Sequence, residues 1–129
     1  MQYRDGETFV TLDLNGRRFH PIQNSEAGRV KGDAVFSFRQ QGSGFVADYS
    51  GSGFTDGHLI GSITGPLTAD LVYHSRASDG ALEVGEASAQ FTVPDQGPIM
   101  IEMEWHWLNG SKAKGKSLYQ EILDERSDA

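Results

Sequence analysis

Apolar and polar residues alternate with a period of two along most of this 129-residue chain. Ala34, Phe36 and Phe38 fall on one side of their segment, with Val35 and Ser37 on the other. Further on, Leu67, Ala69, Leu71 and Tyr73 oppose Thr68, Asp70, Val72 and His74. The run from Ile99 to Leu108 is the clearest. There Ile99, Ile101, Met103, Trp105 and Trp107 share a face, and Glu102, Glu104 and His106 take the other. Side chains of a strand point to opposite faces in turn, so the pattern predicts antiparallel strands, each wet on one side. No long window carries a helical stripe. Only Leu118 to Leu123 reads either way, because Leu118 and Ile122, like Tyr119 and Leu123, lie four apart.

Turn signals punctuate these runs: Asn15-Gly16, Gly42-Ser43-Gly44, Gly51-Ser52-Gly53, Gly65-Pro66, Asp79-Gly80, Asp95-Gln96-Gly97 and Asn109-Gly110. Such pairs supply the positive φ that tight hairpins demand. The spacing predicts about eight or nine strands with no room for a crossover helix. A meander of that size manages its edges best by closing into an up-and-down barrel of the lipocalin-like, or calycin-like, kind. A β-sandwich is the alternative. Gly57, Gly61 and Gly85 fall inside strands, where glycine is expected to mark a bulge or corner. One barrel domain is expected over residues 1–129, fraying at about 1–6 and 124–129.

Composition narrows the function more than the fold. The chain has no cysteine, which excludes disulfides, thiolate metal sites and a cysteine nucleophile. A net charge of −7 has the wrong sign for a nucleic-acid partner. No apolar run approaches the length of a membrane helix and the first residues show no signal-peptide pattern, so a cytoplasmic protein away from membranes is expected.

Candidate chemistry is sparse. Gly110 to Ser117 (GSKAKGKS) matches the G-x-x-x-x-G-K-S phosphate loop. Its context is wrong: a half-polar strand precedes it, and the stretch after Ser117 is too short for both a helix and an acidic strand. It reads as a lysine-rich hairpin loop. His20, His58, His74 and His106 form no pair that fixes two ligands on one element, so no metal and no cofactor is expected. Glu102 and Glu104 share a strand face about 7 Å apart and read as surface charges. No G-x-S-x-G elbow is present.

The segments VFSFRQQGSGFVADYSG, DGHLIGSI, LVYHS and MEWHWLNG…KGKSLYQEI, in this order, resemble a family of small bacterial proteins often labelled "N-acetylglutamate synthase". The resemblance runs from about Phe19 to Ile122. The label implies acetyl transfer from coenzyme A. Yet Gln41-Gly42-Ser43-Gly44-Phe45-Val46 matches the acetyltransferase turn only loosely, and it lies between two strands. Without a helix behind it, the loop lacks the aligned amides that hold phosphate.

The aromatic face remains. Tyr49, Tyr73, Trp105, Trp107, Phe36, Phe38 and Phe45 all fall on faces assigned inward. Buried tyrosine and tryptophan need polar partners, and an eight-stranded barrel either fills with side chains or holds one small ligand. The expected function is binding of an apolar or aromatic small molecule by Tyr49, Tyr73, Trp105 and Trp107. An alternative is a cyclase or isomerase using Tyr73, His58 or Glu121 as acid–base group. A third reading is a β module whose free strands pair with a second copy or another chain.

Overall fold

A computed structural model describes residues 12–24, 34–51, 54–109 and 112–123. Eight strands run in chain order: β1 (Arg18–Asn24), β2 (Val35–Gln41), β3 (Gly44–Gly51), β4 (Phe54–Gly65), β5 (Thr68–Ala77), β6 (Leu82–Thr92), β7 (Met100–Trp107) and β8 (Lys114–Glu121). Each pairs antiparallel with its neighbour, and β1 pairs with β8, closing the sheet into a barrel. The barrel expectation holds with eight strands, and no sandwich forms. Closure gives every described strand a partner on both sides, which removes the free edge required by the strand-pairing reading. The expected frayed ends, 1–6 and 124–129, lie outside the described residues.

Alternation decides what faces inward. On β7, Ile101, Met103, Trp105 and Trp107 are buried while Glu102 and Glu104 are exposed. Register with β6 is continuous from Gly85 to Thr92, so no bulge exchanges the two faces. The ambiguous segment is strand as far as Glu121, directing Ser117, Tyr119 and Glu121 inward. The phosphate-loop look-alike ends in β8: Lys114 to Ser117 are strand residues, and Gly110 and Ser111 lie outside the described residues.

The three strand glycines correct the sequence expectation. None interrupts the register; the irregularities fall at Pro21/Gln23, Tyr49/Gly51, Phe54/Asp56 and Ile63/Gly65. Instead each glycine lies beneath the ring of its cross-strand partner: Gly57 under Tyr49, Gly61 under Phe45 and Gly85 under Tyr73. A missing Cβ lets the ring lie flat on the sheet, a way of covering strand glycines with aromatics. These are seats for rings.

One end of the barrel is plugged. Leu12 to Arg17 crosses it, turning at Asn15-Gly16 with Gly16 at φ 80°. Gly16 N–H donates to Phe38 O at 2.9 Å, and Gln40 clamps the segment by accepting from Leu14 N–H and donating to Leu12 O. Leu12, Leu14, Phe19, Phe38, Phe45, Phe91, Ile99 and Ile101 fill this end. Glu121 belongs here. Its Oε1 accepts from Ile99 N–H at 3.0 Å and its Oε2 from Arg17 at 2.8 Å. It is a structural latch that ties β8 to β7 and to the plugging segment.

Candidate functional site

The connections β1–β2, β3–β4, β5–β6 and β7–β8 all emerge at the other end, as strand direction requires. Inward positions toward that end include Tyr49 on β3, Tyr73 and Ser75 on β5, Glu83 on β6, Trp105 and Trp107 on β7, and Ser117 on β8. Aromatic residues thus converge from three strands. Trp107 meets Tyr73 edge to face at a centroid distance of 5.1 Å, and Trp105 meets Trp107 at 6.4 Å. Phe36 stacks on Tyr49 at 4.4 Å and meets Tyr119 edge-on. Offset and edge-to-face contacts of this kind fix ring orientation as well as burying area.

The polar atoms among these rings are unequally served. Trp105 Nε1 donates to Ser117 Oγ at 2.6 Å, deep in the barrel. Tyr49 Oη makes a long contact with His74 O, at 3.5 Å. Tyr73 Oη is buried and finds no hydrogen-bond partner among the described residues. Ser75 lies close enough to Tyr49 to ease ionisation of its phenol slightly.

Burial pushes all three interior phenols upward: Tyr49 and Tyr73 well above the ordinary range, and Tyr119 to about 12. The nearby Glu83 carboxylate adds to the rise at Tyr49 and Tyr73. Each phenol therefore stays protonated at neutral pH, able to donate a hydrogen bond. A general base would need the opposite shift. The stability consequence has a definite sign. Below pH 10 the phenols are protonated in both states and contribute nothing to pH dependence. Above it the unfolded chain releases protons that the folded barrel keeps, so stability must fall as pH rises. Urea melts from about pH 9 to about pH 11.5 should show this decline, and Tyr119→Phe should make it shallower. A flat profile would count against burial as the cause.

The residues expected to bind a ligand, Tyr49, Tyr73, Trp105 and Trp107, are brought together inside this end. The acid–base alternatives are not. Only Tyr73 of that set lies here. His58 is on the outer face with its side chain 51% exposed, and Glu121 is at the plugged end. The physical reason is parity along the strand: His58 follows the inward Gly57, and Glu121 is the last inward position of β8. Glu102 and Glu104 are surface charges, the latter 3.8 Å from Lys116. His106 faces Glu86 at 3.8 Å. Sequence reasoning did not single out Ser75 and Ser117. The signal was available, since both stand at inward parity in their strands.

No helix among the described residues is long and apolar enough to cross a membrane. A family model described as "Avidin-like protein" matches residues 12–122. No curated protein and no solved structure matches the chain.

Proposed function

We propose that this chain, which belongs to the avidin-like family, is a binding protein for a small molecule held inside the end of its barrel opposite the Leu12 to Arg17 segment. The ligand has an apolar or aromatic body, packed between Tyr49, Tyr73, Trp105 and Trp107, and a polar group that meets Tyr73 Oη and Ser75 Oγ. The observation that carries this reading is the buried Tyr73 hydroxyl, which has no partner among the described residues. Leaving a buried polar group unpaired costs about 1–3 kcal/mol, and a ligand atom placed there offsets that cost. The family supports the same reading, since its members bind small, biotin-like ligands and often form oligomers. A homodimer of this chain is consistent with it.

The test is a thermal-shift screen of ring-containing small molecules, biotin among them, on the intact chain and on Tyr73→Phe. Tyr73→Phe removes an unsatisfied hydroxyl without changing ring packing. The ligand-free variant should therefore be as stable as the parent or more stable, by up to about 1 kcal/mol. A ligand that engages Tyr73 at a hundredfold excess over its Kd should stabilise the parent by about 2.7 kcal/mol and the variant by clearly less. Loss of stability in ligand-free Tyr73→Phe, with no ligand found, would sink the proposal. Trp107→Ala should weaken the same ligand by removing a wall.

A further inference from the structure

We propose that His58 and His74 form a two-histidine chelate for one zinc-, nickel- or copper(II)-type ion on the outer face of the barrel. The two residues are direct partners in the β4–β5 register. Opposed side chains on one sheet face leave Cβ atoms about 4.5–5.5 Å apart, so both imidazoles rise from the same spot. Their ring centroids are 5.4 Å apart and their planes differ by 39°. Two imidazoles bound to one tetrahedral ion through metal–nitrogen bonds of about 2.1 Å place their centroids about 5 Å apart. The observed centroid separation is close to that value.

A second, independent feature points the same way. Asp48 is the β3 partner of His58, and its Oδ1 lies 2.7 Å from His58 Nδ1. Arg39 donates to the other oxygen at 3.0 Å; these two contacts, Arg39 foremost, hold the Asp48 carboxyl below the usual range. An ionised carboxylate only accepts, so His58 donates from Nδ1–H, and the neutral imidazole has its lone pair on Nε2. That carboxylate–histidine arrangement orients a metal-ligating imidazole and strengthens it as a donor.

The local charge is balanced. Arg39 is paired with Asp48, and Arg76 with Asp56 at 3.2 Å, so each nearby guanidinium has its own carboxylate facing the incoming dication. Val84, the β6 partner of His74, adds no ligand. Among the described residues no group of three metal-ligating side chains gathers anywhere. The pair therefore fills two coordination positions and leaves the rest to water or to a donor from outside the chain. Neutral imidazole nitrogens select zinc, nickel or copper over magnesium or calcium. The site lies on the opposite side of the sheet from the interior binding end, so neither proposal depends on the other.

Isothermal titration of the intact chain with nickel chloride and with zinc chloride tests the chelate. One ion per chain is expected. His58→Ala and His74→Ala should each lower affinity on the order of 100-fold, because the second nitrogen binds intramolecularly. Asp48→Asn should lower it about tenfold, and His106→Gln should leave it unchanged. His58 and His74 are exposed, and Asp48 and His106 are half-buried on the outer face, so metal-free melting temperatures close to the parent's separate a lost site from a lost fold. The copper(II) electron paramagnetic resonance spectrum should show two coupled nitrogens, falling to one in either histidine variant. Equal affinity in the parent and in the His58→Ala/His74→Ala double variant would overturn the proposal, as would a copper spectrum indifferent to both residues.

Discussion

Phe19→Ala is expected to lower the free energy of unfolding by about 4 kcal/mol, within the range for truncating a fully buried aromatic. Phe19 has no exposed surface and meets Phe38 edge-on at 5.2 Å. It also stands where β1 closes the barrel, opposite Phe36 on β2 and Glu121 on β8. Among the described residues the β1–β2 register runs from Arg18 to Phe19, at the seam where the barrel closes. Neighbouring side chains cannot collapse into the space, because Leu14 and Ile101 beside it in the core are themselves fully buried. Urea melts read the loss. The tryptophan signals should survive in the folded variant, since Trp105 and Trp107 lie toward the other end. A loss below about 2 kcal/mol would mean that the plugged end is less tightly packed than the geometry indicates.

Gly61→Val should cost about 3 kcal/mol, near the top of the usual range for overpacking a core. A Cβ at this position would stand 2.2 Å from Phe45 Cζ, with two further ring carbons within 2.8 Å. Phe45 cannot swing away, because it is only 3% exposed and packs on Phe38 at 5.8 Å. Gly44 supplies the control. A methyl added there would find backbone oxygens at 3.7 Å and 4.0 Å as its nearest atoms, ordinary contact distances. Gly44→Ala should therefore change stability by no more than about 0.5 kcal/mol. Similar losses at both positions would remove the ring-seating role assigned to Gly61. Gly57 and Gly85 seat Tyr49 and Tyr73 in the same way. The end proposed to bind a ligand thus depends on glycines as well as on aromatics.

The placement of the candidate site was legible where it follows parity. Tyr49, Trp105 and Trp107 sit on inward faces and are buried, and Tyr73 packs against them. The role of Glu121 was not legible, because whether an inward carboxylate meets a cavity or a latch depends on what crosses that end of the barrel. Arg17 and Ile99, distant in sequence, make it a latch. The glycines misled for a related reason: a bulge and a ring seat both need a residue without a Cβ, and local sequence does not distinguish them.

By itself the sequence determined a meander of about eight strands, its turns, and the inward or outward faces along β2, β5 and β7. A period of two and positive-φ turn residues are properties of a few neighbouring positions. Tertiary structure alone decided the register. Register pairs β1 with β8 to close the barrel, lays Tyr73 over Gly85, and leaves the Tyr73 hydroxyl without a partner among the described residues. It also sets His58 beside His74, two residues that no spacing rule connects. The reason is physical. Facing is fixed one peptide at a time by the pleat, whereas register is the joint minimum of eight strands packing one interior.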